Sequence, residues 1–244
     1  APPLRARVAA AQRALAGLLL EGYVRQPHIT LALCGFPATG PLRAEDEFDD
    51  DLITAQLAAL QAMAPPAFEL GIGGLESFSS APFLSVHDST GALATLRRCL
   101  HADGQHPQGG YVAHVTVGLY AEAWPTAEVA RCFRALDDAP HLPCRITRLS
   151  LMGYVAADIG GELFTLADYH LAERRLQWRE ARQGLAGNVD RHKGEGVCSV
   201  SVGAGLPANF AGSTAAFAGK PAPAHQAATH QAPTITFSAE TGGA

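Results

Sequence analysis

The first 170 residues contain no lysine; their positive charge rests on 11 arginines, set against 18 aspartates and glutamates. An acidic body of this kind excludes a broad grip on the phosphate backbone of long nucleic acid, which takes many Lys and Arg contacts. It leaves room for a small phosphorylated ligand held by a few residues. No apolar run approaches the roughly 18–20 residues that span a bilayer. In "LRARVAAAQRALAGLLL" the charges of Arg5, Arg7 and Arg13 interrupt the apolar residues, which marks an amphipathic helix rather than a signal peptide. The five cysteines (34, 99, 132, 144 and 198) are odd in number and include no C-x-x-C, as expected of reduced thiols in a cytoplasmic protein. There is no G-x-S-x-G. The "GIGG" at 71–74 lacks the Lys-Ser/Thr of a phosphate-binding loop and reads as a bulge or turn.

What the chain does have is order and repetition over 1–170. Periodicity predicts helices at 4–19, 51–63 and 90–101, and a fourth opened by Pro125 and Thr126; Asp88 or Ser89 is placed to cap the third. Strands are expected at 27–35, 67–75, 82–87, 112–120, 143–155 and 161–169. The fold class is therefore α+β. The order helix, strand, helix, strand, strand occurs twice, and equivalent histidines at 28 and 114 lie 86 residues apart. Two copies of one such unit pack about a pseudo-two-fold axis. The same offset places a further strand for the first unit just ahead of residue 1, whose absence would leave the strand of His28 beside an open edge. Residues 171–184, "AERRLQWREARQGL" and its neighbours, read as a basic helix. Residues 185–244 are rich in Ala, Gly, Pro, Ser and Thr and carry too little apolar patterning to offset their ordering entropy, which predicts disorder.

The repeated strands carry the chemistry. "QPHITLALCGF" and "YVAHVTVGLY" each hold a His-x-Thr in an apolar setting. Residues i and i+2 of a strand share a face. His28 with Thr30, and His114 with Thr116, thus stand side by side, while Ile29, Leu31, Leu33 and Val115, Val117, Leu119 turn toward a core. One H-x-T means little in a chain with ten histidines; two at equivalent places of a repeat mean more. Two imidazoles, with an unperturbed pKa near 6.5, suit phosphodiester cleavage. One takes a proton from the attacking oxygen and the other gives one to the departing oxygen. Threonine hydroxyls donate to the phosphoryl oxygens as charge builds. That chemistry calls for no metal or other cofactor. His101, Asp103 and His106 in "HADGQH" are the metal-binding alternative, and His87 closes a strand. Phe36, Tyr111 and Tyr154 are candidates to stack on a base, against the simpler role of core filling.

"HITL" and "HVTV", one in each half of a duplicated α+β unit, resemble the 2H phosphoesterase family, in particular the bacterial branch of 2′-5′ RNA ligases and RNA 2′,3′-cyclic phosphodiesterases. The likeness covers about residues 3–170. It implies a two-lobed fold with two antiparallel-rich sheets around a central cleft, helices outside, and His28, Thr30, His114 and Thr116 lining the cleft. It also implies a cyclic phosphodiesterase with weak reverse 2′-5′ ligation. The substrate expected is a nucleotide or RNA-terminal cyclic phosphate, with no extended nucleic-acid surface, no membrane and a monomeric enzyme. The chain departs from relatives at Gly118 and Leu119, where several carry Arg or Lys, and at Ala113, where Pro is common. The acidic body and the absent cation lend support to a rival: a nucleotide- or RNA-binding module that has kept the cleft without turnover.

Overall fold

The computed structural model describes residues 2–38, 40–42, 47–101, 110–134, 140–179 and 236–241, the last as backbone. Helix α1 (Pro2–Ala14) buries Leu4, Val8 and Ala11, and Leu15 and Leu18 in the turn after it continue the stripe at spacings of three and four. It ends short of the predicted position because Gly17 adopts φ 85, a left-handed conformation that closes helices. Two short strands, β1 (Phe36–Pro37) and β2 (Glu47–Phe48), pair in parallel ahead of α2 (Asp50–Met63). The Asp49 side chain accepts the Leu52 N–H at 3.1 Å and starts α2, while Ala64, left-handed before Pro65 and Pro66, stops it.

Six further strands form one antiparallel sheet: β3 (Phe68–Ser77), β4 (Pro82–His87), β5 (His114–Thr116), β6 (Leu142–Gly153), β7 (Phe164–His170) and β8 (Arg175–Trp178), in the order β5-β4-β3-β6-β7-β8. A seventh, β9 (Thr236–Thr241), pairs with β6. The long β6 meets β3 along Leu142–Ile146 and β7 along Arg148–Gly153. Helix α3 (Ala92–Leu100) joins β4 to the loop before β5, and α4 (Thr126–Phe133) follows β5. Ile72, Leu84, Val115, Ile146 and Leu149 are fully buried and join Leu60 of α2 and Leu96 and Leu100 of α3 in one apolar core. No helix among the described residues is long and apolar enough to cross a membrane.

The α+β class is as expected, but several elements differ. In place of two sheets around a cleft, the described strands form the one antiparallel sheet and the small β1–β2 pair. The segment expected as a strand at 27–35 lies in no regular strand. The carbonyls a neighbouring strand would engage are taken by side chains: Tyr111 Oη donates to Thr30 O, and the Arg97 guanidinium donates to Leu31 O. The basic helix expected over 171–184 is a hairpin as far as residue 179. Arg174 turns the chain with φ 50, and Arg175–Trp178 pair with β7, burying Leu176 and Trp178 more than Arg175 and Gln177. What holds this hairpin is Asp168, 1% exposed, which accepts from Ser150 Oγ at 2.6 Å and pairs with Arg179. Of the tail expected to be disordered, 185–235 and 242–244 lie outside the described residues. The "GIGG" stretch is a bulge in β3, where register against β4 shifts between Ile72 and Leu75. A Cβ on Gly73 would sit 2.4 Å from Ser85 Oγ, so a larger residue there would require that hydroxyl to turn away.

Helix α3 begins on a cap four residues upstream. Asp88 accepts the N–H groups of Thr90 and Gly91 at 3.0 Å and of Leu93 at 2.8 Å. Burial raises the pKa of this carboxyl, but these hydrogen bonds outweigh it and hold the group below its usual range. Because α3 carries Arg97, the cap also steadies the segment beyond His28. Replacing Asp88 by Ala should cost about 1–2 kcal/mol, read as a lower urea midpoint, with Asp88→Asn keeping most of the stability. An unchanged midpoint in Asp88→Ala would contradict the capping role.

Candidate active site

Both histidines are held by the same local bond. His28 Nδ1 donates to Gln26 O at 2.5 Å, and His114 Nδ1 donates to Val112 O at 2.7 Å. In each case the acceptor is the carbonyl two residues earlier. A carbonyl oxygen only accepts, so the proton of each neutral ring sits on Nδ1 and Nε2 is left with its lone pair free. The first of these carbonyls is itself fixed. The Gln26 side chain exchanges two hydrogen bonds with the backbone of Leu163, Nε2 to O at 2.9 Å and N to Oε1 at 3.0 Å.

The second motif sits in β5, opposite β4, with His114 across from Ser85 and Thr116 across from Phe83. The His114 ring meets Phe78 edge-on at 4.9 Å and Phe83 at 5.4 Å, and those two phenyl rings stack at 4.3 Å. An imidazole set edge-on against a stacked aromatic pair and pinned at Nδ1 has little rotational freedom.

Burial is heavier at the first motif. His28 is 3% exposed and Thr30 8%, with Ile29 and Leu31 also buried, so both faces of this segment are covered. Thr30 Oγ1 is buried with no hydrogen-bond partner among the described residues. An orphan hydroxyl of this kind is costly unless a ligand accepts from it. The expected alternation fails at Leu33, which is 54% exposed. Cys34 turns inward instead, its Sγ donating to Gln56 Oε1 at 3.2 Å, and so shifts the buried face by one residue. In the second motif Val115 and Val117 are buried as expected.

Electrostatics follow burial. Desolvation pushes His28 down to about 4; the bond to Gln26 O opposes this, and the positive charges of Arg25 and His114 add to it. Burial also lowers His114, against the favourable bond to Val112 O. That His114 bears on His28 at all means the two imidazoles, 86 positions apart in sequence, lie within electrostatic range of each other.

The aromatic candidates separate. Tyr111 spends its hydroxyl on Thr30 O and one ring face on the Arg97 guanidinium, 3.7 Å from the ring centre. It is a brace between the two motifs. Tyr154, just past β6, carries the Arg25 guanidinium at 4.3 Å. Phe36 is half-buried in β1, and its ring joins none of the aromatic pairings among the described residues. His87 is exposed beside His141, with ring centres 6.1 Å apart. His101 Nδ1 donates to Arg97 O, 3.1 Å away, while Asp103 and His106 lie outside the described residues. Among the described residues no group of three or more His, Cys, Asp and Glu stands where it could hold a metal.

Four side chains of the site escape sequence reasoning: Arg25, Phe78, Phe83 and Arg97. A positional signal existed for one of them. Arg25 and Tyr111 each stand three residues before a motif histidine, and each supplies one half of a cation–aromatic pair.

Comparison with known proteins is consistent with this arrangement and narrow in scope. No curated protein and no solved structure matches the chain. The family described as the 2′-5′ RNA ligase superfamily matches residues 2–158, the stretch that contains both histidine motifs and every strand between them. The chain belongs to that superfamily, the 2H phosphoesterases.

Proposed function

We propose that the protein is a phosphodiesterase that opens 2′,3′-cyclic phosphates of nucleotides or RNA ends by two-histidine acid–base catalysis. The observation that carries this reading is the matched pinning of His28 and His114, which leaves two Nε2 atoms free and in electrostatic range of each other. His28 is the base. Burial keeps it neutral over most of the working range, and the charge of Arg25 adds to the effect. His114, only half-buried, is the acid.

In the reaction His28 Nε2 takes a proton from water as its oxygen attacks phosphorus. The bond from phosphorus to one ribose oxygen breaks, and His114 Nε2 delivers its proton to that oxygen. A phosphomonoester and a free hydroxyl result. Thr30 and Thr116 donate to the non-bridging oxygens, and the substrate supplies the acceptor that Thr30 Oγ1 lacks. With a 5′-hydroxyl in place of water, the same attack forms a 2′-5′ linkage, a weak ligase activity.

His28→Ala and His114→Ala should each lower turnover of a nucleoside 2′,3′-cyclic phosphate by roughly 10²–10⁴-fold, with chelator leaving the wild-type rate unchanged. The double variant should lose far less than the product of the single losses, because acid and base act as a unit. Cyclic-phosphate binding without turnover by the wild type would favour the non-catalytic module instead.

The pH profile follows from the two shifts. A base works above its pKa and an acid below its own. kcat/KM should therefore rise through about pH 4 as His28 loses its proton and fall on the acid side of 6.5 as His114 loses its own. A profile rising to a plateau above pH 7 would reverse or remove the assigned roles.

The buried histidine also links pH to folding. Unfolded, His28 binds a proton below about 6.5, and folded it resists protonation down to about 4. The unfolded state therefore holds more protons in that window, and stability falls as pH drops through it by roughly 3 kcal/mol. His28→Gln should flatten that part of the stability–pH curve, measured by urea unfolding at pH 7, 5.5 and 4. An identical slope in variant and wild type would show that His28 is not buried neutral.

A further inference from the structure

The two cation–aromatic pairs occupy matching positions but are used differently. In the Arg97–Tyr111 pair both polar ends are spent on the backbone, at Leu31 O and Thr30 O. In the Arg25–Tyr154 pair the arginine is unspent. Arg25 makes no hydrogen bond and no ion pair among the described residues, and its Nε is buried without a partner. A guanidinium presents five donors, and a half-buried one left without acceptors is unfavourable unless something else supplies them. No carboxylate among the described residues pairs with it. Its charge bears on His28 and on Tyr23, whose phenol burial pushes up to about 12 while Arg25 pulls it back.

Among the described residues, Arg97 is the other arginine bonded at the two motifs. Behind the second motif, Gly118 is pressed against the segment after α1: a Cβ there would meet Leu19 Cδ1 at 3.1 Å, and Leu20 N bonds Leu119 O at 2.8 Å. A side chain at that position would have to push Leu19 aside. Arg97 is committed to Leu31 O.

We propose that Arg25, held flat on Tyr154, is the anion-binding residue of this site and takes the non-bridging oxygens of one phosphoryl group. This rests on the phosphodiesterase reading for the identity of the phosphoryl group, though not for the presence of an anion site. Guanidinium matches two phosphoryl oxygens at once, and stacking fixes its plane at small entropic cost. A single cation in an acidic body suits one phosphate, so the ligand class is a mononucleotide or a chain-terminal cyclic phosphate and its monoester product.

The test compares wild type with Arg25→Gln and Arg25→Lys in two assays: turnover of a nucleoside 2′,3′-cyclic phosphate, and calorimetric binding of inorganic phosphate. Arg25→Gln should raise KM and weaken phosphate binding by roughly 10–100-fold, with a smaller change in kcat. Arg25→Lys, charged but unable to stack flat or bind two oxygens, should fall between the two. His28, whose charged neighbours are Arg25 and His114, should titrate at higher pH by NMR in Arg25→Gln. Removing an unpaired guanidinium should leave the thermal midpoint unchanged or higher, whereas a structural role predicts a lower midpoint with KM and phosphate affinity intact. That last result overturns the proposal. If wild type binds phosphate through Arg25 yet turns over no cyclic phosphate, the anion site stands and the phosphodiesterase reading fails. If it turns over substrate with KM insensitive to Arg25→Gln, the reading stands and the anion site fails. If it neither binds phosphate nor turns over substrate, both fail.

Discussion

A hydrogen bond from an imidazole to the carbonyl two residues behind it is the constraint on which this site depends. It is made twice, at Gln26 and at Val112, and each time it settles three things: the tautomer, the ring orientation and the availability of Nε2. Much of the surrounding structure keeps those two carbonyls in place. Gln26 is tied to Leu163 by a reciprocal amide bridge, and the segment beyond His28 is clamped at Thr30 O and Leu31 O by Tyr111 and Arg97. On the other side, β5 is paired to β4, and the His114 ring packs edge-on against the stacked Phe78 and Phe83.

The two motifs are alike in geometry and unlike in environment, and that difference is what the proposed chemistry needs. Acid–base catalysis works best when the two groups hold different protonation states at one pH. His28 is enclosed by Ile29, Leu31 and their neighbours and sits beside an unpaired arginine; both effects disfavour its charged form. His114 is on a short strand, half-buried. The cost of burying a neutral histidine and an orphan threonine hydroxyl falls on the folded protein, and substrate binding relieves part of it.

How much of this could be read from sequence depended on the range of the interaction. Asp88 as a helix cap, the glycine bulge at 71–74 and the end of α2 before Pro65 are local matters of spacing and turn chemistry, and each was legible. The regular strand expected around His28 was not, because its backbone partners are the side chains of Tyr111 and Arg97, both more than sixty positions away. Residues 175–178 have a composition that suits a helix or a strand; Arg174 and the buried Asp168, to which Arg179 pairs, decide for the strand. Leu33 is turned outward by a thiol–amide bond between Cys34 and Gln56, which periodicity cannot anticipate. The role of Arg25 was hidden for the same reason: Tyr154, which holds it, is remote in sequence, and the crowding at Gly118 comes from Leu19.

The most direct measurement is nitrogen NMR of the imidazoles of His28 and His114 across pH 4–8, assigned with single His→Gln variants. Both rings should carry their neutral-form proton on Nδ1, with Nε2 unprotonated near pH 7, and His28 should stay neutral until about pH 4. A neutral His28 or His114 protonated on Nε2, or a His28 that titrates near 6.5, would contradict the account.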